Sequence, residues 1–231
     1  MNFMKGKTDF NIFSSHCDLD ELWNNISESA RKIITIQYGD VTNSKIASMG
    51  ISKFKFLSNV VMWQGYYKEY EAVEQIIGYI EKNKIKPSNI TELHFYLLNC
   101  INIYYKPSEP HIFDLDKVVR YCKMDIELLP AFKKEYLEQA RENLINWSDL
   151  PLTTEKDKLE VQERLKNLKF NIGIPSFKYL ALAYEKKEMY REAIEVCKSA
   201  ISNDIGDDTK SGFEGRIIRL NKKMNKNKIT S

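Results

Sequence analysis

The sequence predicts an all-α protein, and three observations support this prediction. Only 9 glycines and 6 prolines occur in 231 residues, too few for a sheet joined by many tight turns. Leu, Ile, Lys, Glu and Tyr are abundant, a composition that favours helices. Apolar residues recur at spacings of three and four, the pattern of one face of a helix. With 43% hydrophobic residues, the chain can bury a core without disulfides or a structural metal.

The clearest predicted helix pair lies in residues 175–206. Apolar residues on one face of its first helix are Phe177, Leu180, Ala181 and Tyr184. Those on one face of its second helix are Tyr190, Ala193, Cys197 and Ala200. The charged segment between them is short, which predicts an antiparallel hairpin. Pro175 suits the first turn of the first helix, and Gly206 is expected to end the second.

This order of large, small and aromatic residues resembles the tetratricopeptide repeat, a helix pair of about 34 residues. The residues that occupy the places of its signature are Phe177, Leu180, Ala181, Tyr184, Tyr190, Ala193 and Ala200. Cys197 stands where that family usually has an aromatic residue, and "DIGDD" replaces its closing proline. One unit cannot bury both of its apolar faces, so the resemblance implies antiparallel helix pairs stacked as a short α-solenoid.

Three other segments are candidate pairs. Residues 53–86 repeat the order of the signature around a "GYYKE" turn. Residues 89–130 align Cys122 with Cys197 and are expected to end at Pro130, where the family often has proline. Residues 131–170 predict two helices without the signature, the second capped by Thr153 or Thr154. Residues 211–225 predict a C-terminal capping helix, which a solenoid needs to cover its last repeat.

Residues 1–52 form an N-terminal helical segment in this prediction, and the repeat domain occupies 53–231. "DLDELWNNISESARKIITI" predicts one helix whose apolar side carries Leu22, Trp23, Ile26 and Ala30. "VTNSKIASMGISKFKFL" resembles a helix-turn-helix DNA reader, with Ala47 and Gly50 in place of its alanine and its turn glycine. The favoured interpretation, however, is that Gly50 ends a helix before the first repeat.

The sequence contains no recognisable catalytic or metal-binding motif. It lacks a glycine-rich phosphate loop and an HExxH motif, and its cysteines form no CxxC pair. The acidic residues near 204–214 match no EF-hand spacing and are expected to form a solvated loop at a helix end. Without an apolar run of signal-peptide or membrane-spanning length, the chain is predicted to be cytoplasmic with reduced thiols. We therefore expect a protein that is not an enzyme and uses no cofactor or metal.

The repeat resemblance implies that a protein or peptide partner binds in a groove lined by the first helix of each pair. The residues expected to face this groove are Asn99, Asn102, Lys178, Leu182, Glu185 and Lys186. Two exposed-looking aromatic pairs near helix ends suit either a partner contact or repeat packing: Tyr66 with Tyr67, and Tyr104 with Tyr105. Ordinary solvent exposure is the alternative for all of these groove residues.

The basic C-terminus suggests a second kind of contact. Four cations there are candidates for binding an anion or nucleic acid: Arg216, Arg219, Lys222 and Lys223. A solvated tail that complements a helix C-terminus is the favoured alternative, because runs of charge are usually solvated. The rival function is a transcriptional regulator with an N-terminal helix-turn-helix-like segment that reads DNA and a repeat-type sensing or dimerisation domain. Steep salt dependence of DNA binding would distinguish it from an adaptor.

Overall fold

A computed structural model describes residues 19–38, 52–151, 154–207, 209 and 211–230. Within these ranges the protein has ten helices and no strand, which confirms the predicted all-α class. The chain divides into two compact units between Ser88 and Asn89. The sequence placed a boundary after residue 52 instead.

The first unit contains four described helices: α1 (Asp20–Asn25), α2 (Glu28–Tyr38), α3 (Lys53–Tyr66) and α4 (Tyr70–Lys82). The single helix predicted near residues 18–36 is therefore two helices. The backbone is extended at Ile26, with φ −81° and ψ 153°. The Ser27 hydroxyl then accepts a hydrogen bond from the Ala30 N–H at 3.1 Å. Ser27 thus starts α2 as an N-cap, a signal that the apolar periodicity across the break concealed.

The helices of the first unit pack through apolar side chains and one buried amide. The core includes Leu57 and Val61 of α3 and Val73 and Ile76 of α4, each no more than 1% exposed. Gln64 is also buried, and its side-chain nitrogen donates to the Ala30 carbonyl at 2.9 Å. This bond ties α3 to α2.

The second unit contains α5 (Ile90–Tyr104), α6 (Leu115–Ser148), α7 (Glu155–Lys166), α8 (Pro175–Lys186), α9 (Tyr190–Ser202) and α10 (Gly212–Thr230). In packing order, α5 lies against α6, α6 against α8, α8 against α9, and α9 against α10. Helix α7 packs on α6. A helix is therefore present where residues 211–225 predicted one, as α10, and it packs against α9.

Helix α6 runs for 34 residues and passes through Pro130, so the expectation that Pro130 ends a unit was wrong. Proline removes one helical hydrogen bond, which usually ends a helix. Here Pro130 lies on the exposed side, where water can reach the helix. Leu129 and Phe132 beside it are buried, and Phe132 stacks on His94 of α5 at 4.2 Å between ring centroids. Packing on both sides of the proline outweighs the lost bond.

Two helix pairs, α3–α4 and α8–α9, have the same turn geometry at positions 120 residues apart. Lys68 and Glu188 adopt the left-handed backbone conformation, with φ 65° and 58°. In each pair, the N–H of the next residue donates to the carbonyl five residues earlier. Glu69 donates to Gln64 and Met189 donates to Tyr184, both at 2.9 Å. The two hairpins therefore close their turns identically.

The second helices of these pairs also end alike. Asn83 and Asn203 each donate a side-chain N–H to the carbonyl four residues earlier, at 2.9 Å. Lys84 and Asp204 follow with φ 50° and 57°. The left-handed residue after α9 is thus Asp204, and Gly206 does not end the helix as the sequence predicted, because the stop comes two residues earlier.

Two predicted helix starts are confirmed. Pro175 occupies the first turn of α8, where no N–H is needed. Thr154 caps α7 in a capping box with Asp157, and Thr153 lies outside the described residues.

A carboxylate from α6 accepts hydrogen bonds from the first turn of α5. Glu135 accepts the Ile90 N–H at 3.1 Å and the Thr91 N–H at 3.0 Å, and the Thr91 hydroxyl at 2.6 Å. Burial opposes ionisation of Glu135, but these bonds favour the anion and hold the pKa of its carboxyl below the usual value. The pair α5–α6 is thereby fixed at the start of the second unit.

Candidate functional site

The outward face of α8 is contacted along one edge by the loop that joins α5 to α6. The Tyr105 ring from this loop lies 5.1 Å from the Tyr179 ring and 5.9 Å from the Phe113 ring. Lys186 places its Nζ 5.7 Å from the centre of the Phe113 ring. Tyr179 and Lys186 are seven residues apart and share one side of the helix. Aromatic rings therefore line this edge of α8, and all three are half-buried.

Helix α10 borders the other edge of α8 through ion pairs. Lys223 donates to a Glu185 oxygen at 2.7 Å. Arg216 is only 3% exposed; its Nη2 lies 2.9 Å from Oδ2 of Asp207, and its Nη1 lies 4.0 Å from Oε2 of Glu185. The Asp207 side chain is fully buried. Glu185 thus bridges two cations of α10, and Arg216 joins α8, α10 and the loop before α10.

The electrostatics of this network favour its charged forms. Burial alone would raise the pKa of Asp207, but the hydrogen bonds from Arg216 and the Thr209 N–H, with the charges of Arg216 and Lys178, lower it overall. The hydrogen bond and charge of Glu185 raise the pKa of Lys223. Burial raises the pKa of the Tyr105 hydroxyl, with Arg216 opposing. Tyr105 therefore lies within the field of the ion-pair network.

We define the α8 surface as Tyr105, Phe113, Lys178, Tyr179, Leu182, Glu185 and Lys186. Four of these were predicted groove residues: Lys178, Leu182, Glu185 and Lys186. Leu182 is half-buried between the aromatic and ionic edges, and Lys186 is exposed. Of the other predicted residues, Asn99 is half-buried and Asn102 is exposed, both on α5. The surface brings together residues from α8 and from the loop after α5, and Glu185 connects it to Lys223 and Arg216 of α10.

The structure changes the interpretation of the basic C-terminus. Arg216 is buried and ion-paired, so it is not an exposed anion contact as the sequence suggested. Arg219, Lys222 and Lys223 are exposed. Arg216 follows buried Phe213 by three residues and precedes buried Leu220 by four. The position of Arg216 on the apolar face of α10 was the signal from which its burial with a charged partner could have been predicted.

Sequence reasoning missed two of the rings at this surface, Phe113 and Tyr179, because neither lies on a repeated apolar stripe. It grouped Tyr104 with Tyr105 as exposed, but Tyr104 is fully buried. Its ring stacks on the Tyr121 ring, with 5.8 Å between the centroids. The other pair is exposed as expected, with Tyr66 at 73% and Tyr67 at 46%.

A second polar cluster is buried between α5, α6 and α8. Nδ1 of His94 lies 2.6 Å from Oδ1 of Asp125, and the Ser176 hydroxyl donates to Oδ2 of Asp125 at 2.5 Å. No more than 2% of any of these residues is exposed. The serine contacts the carboxylate and not the imidazole, so the set lacks the order in which histidine activates a serine nucleophile. His94 is a core residue, and the cluster joins three helices.

The described cysteines are poor nucleophiles. Cys100, Cys122 and Cys197 are buried free thiols. Burial raises the pKa of the Cys122 thiol well above its usual value and that of Cys197 to about 11. Cys17 lies outside the described residues, as do Ala47 and Gly50 of the helix-turn-helix resemblance.

Among the described residues, no group of three or more His, Cys, Asp or Glu side chains could hold a metal ion. No helix in the same part of the chain is long and apolar enough to cross a membrane. Comparison with models of known protein families, with curated proteins and with solved structures gives no match.

Proposed function

We propose that the protein is a non-enzymatic adaptor that binds a protein or peptide partner on the α8 surface. The observation that carries this proposal is the convergence of half-exposed rings and charges from separate segments on one helix face. Tyrosine rings bury much area at little cost in conformational entropy, so they often anchor protein partners. Here the Tyr105 and Tyr179 rings already contact each other at 5.1 Å, which reduces that cost further.

The repeat resemblance supports the same proposal. Matching hydrogen bonds close the turns of α3–α4 and α8–α9, with a constant offset of 120 residues. In proteins built from such repeats, stacked helix pairs create extended binding surfaces. Helix α8 is the first helix of its pair, the position that the resemblance assigns to partner contacts. The proposed mechanism is therefore display of a fixed surface, with no chemical step.

Capture from a lysate of the native host tests this function. The lysate is treated with nuclease, and proteins retained by the wild-type chain are compared with those retained by Lys178→Ala/Lys186→Ala. Both substitutions lie on the α8 surface and remove side chains that are half-buried or exposed, so the fold should persist. We expect a stoichiometric protein partner whose recovery falls about tenfold, the effect of losing two charged contacts of a binding site.

The matched control is Lys156→Ala/Lys166→Ala on α7, which makes the same charge change at two exposed positions away from α8. This control should retain the partner in full. Equal loss in both variants, or recovery of nucleic acid alone when nuclease is omitted, would contradict the adaptor function.

A further inference from the structure

Helix α10 carries a stripe of cations next to the α8 surface. Its members are Arg219, Lys222, Lys223 and Lys226, which follow one another at spacings of three, one and three and so lie on one helical face. All four are exposed. The contact between Lys223 and Glu185 at 2.7 Å fixes this basic stripe beside α8. The stripe is about 10 Å long, the rise of seven helical residues.

The carboxylates at this border are already engaged inside the protein. Glu185 contacts Lys223 and Arg216, and Asp207 contacts the same arginine at 2.9 Å. The negative charges of Glu185 and Asp207 therefore neutralise the positive charges of Arg216 and Lys223. Arg219 and Lys222 lie on the exposed side of α10. Lys178 and Lys186 add positive charge along α8. The combined face therefore attracts anions.

We propose that the α8 surface and the basic stripe together bind an acidic peptide segment of a protein partner. The proposal rests on the adaptor function and names the partner's chemistry. Aspartate and glutamate side chains of the segment pair with the stripe, and an apolar side chain packs on Tyr179 and Leu182. Charge complementarity of this kind speeds association and rejects basic competitors.

The same face is less suited to nucleic acid. Single strands bind on aromatic faces that stack successive bases along a charged groove. Tyr105 and Tyr179 are half-buried and tilted 58° against each other, an arrangement that presents no row of parallel ring faces. Glu185 pairs with Lys223 and Arg216 between the aromatic edge and the stripe, so the cations there do not form the continuous charged groove that a phosphate backbone follows. A peptide can place an uncharged residue opposite Glu185.

The test uses the full chain and a display library of random peptides about 12 residues long, enough to span the stripe when extended. We expect selected peptides to be enriched in Asp and Glu relative to the starting library. Their binding should weaken about tenfold between about 50 and 500 mM salt, because the attraction is screened. Charge reversal in Arg219→Glu/Lys222→Glu should abolish it, and neutralisation in Arg219→Gln/Lys222→Gln should weaken it.

The matched control is Arg141→Glu/Lys156→Glu, two exposed cations on α6 and α7, which makes the same charge change and should leave peptide binding intact. Circular dichroism of each variant confirms folding. Selected peptides without acidic enrichment would overturn this inference but leave the adaptor function standing, provided that Lys178→Ala/Lys186→Ala still loses the captured partner. Failure to select any peptide, with tight binding of a labelled single-stranded RNA, would overturn the inference and favour nucleic acid.

Discussion

Asp125 is the residue on which the buried polar cluster of the second unit depends. Its two carboxylate oxygens contact His94 at 2.6 Å and Ser176 at 2.5 Å, from helices on either side of α6 in packing order. Removal of the carboxylate leaves both partners buried without their acceptor. We expect Asp125→Ala to lower the free energy of unfolding by about 3 kcal/mol and Ser176→Ala by about 1 kcal/mol, measured by urea denaturation.

Glu127→Ala is the control for this prediction, because Glu127 is exposed two residues away on the same helix. Its effect should stay within about 0.5 kcal/mol. If Asp125→Ala were as mild as Glu127→Ala, the cluster would not join the three helices energetically.

Sequence reasoning at the residue scale succeeded where one side chain acts on its own backbone. Thr154 and Pro175 were predicted as helix starts because caps are local. The partners of Asp125 could not be predicted, since they lie 31 and 51 residues away along the chain.

Helix α10 is held at the end of the second unit by one buried ion pair as well as by Phe213 and Leu220. Asp207→Asn keeps the size of the side chain but removes its charge from Arg216. We expect a loss of about 1–3 kcal/mol in stability and faster amide hydrogen exchange over residues 213–226, because the buried guanidinium loses its counter-charge.

The same pair predicts an acid-sensitive helix. The native pKa of Asp207 lies below its value in the unfolded chain, about 3.9 for an ordinary aspartate. Its stabilisation is therefore complete above that unfolded value and is lost as the pH falls through the lower native pKa. Asp207→Asn should lack this part of the acid dependence. The control Asp204→Asn changes an exposed left-handed residue that asparagine also suits, so it should change neither exchange nor acid dependence.

Element boundaries were predicted where the apolar pattern and the local signals agree, and missed where they conflict. The pattern continues across Ile26, so the break at Ser27 was not predicted. Proline ends most helices, but buried Leu129 and Phe132 carry α6 through Pro130. A single N-cap decides the first case, and tertiary packing decides the second.

At the scale of the whole molecule, the all-α class follows from composition and periodicity, and the structure confirms it. The α8 surface was predicted in part, because α8 was recognised as the first helix of a pair. The loop that lays Tyr105 and Phe113 along α8 could not be predicted, since loop conformation depends on contacts distant in sequence. The adaptor function depends on this surface being a contact site and not merely a solvated face.

Photo-crosslinking in the native host tests that claim most directly. A benzoylphenylalanine replaces Leu182 at the centre of the α8 surface or, as the control, Leu159, which is 66% exposed on α7. We predict that position 182 crosslinks one defined protein and that position 159 does not. Crosslinks at position 182 to nucleic acid alone, no crosslink there, or the same products from both positions would contradict it.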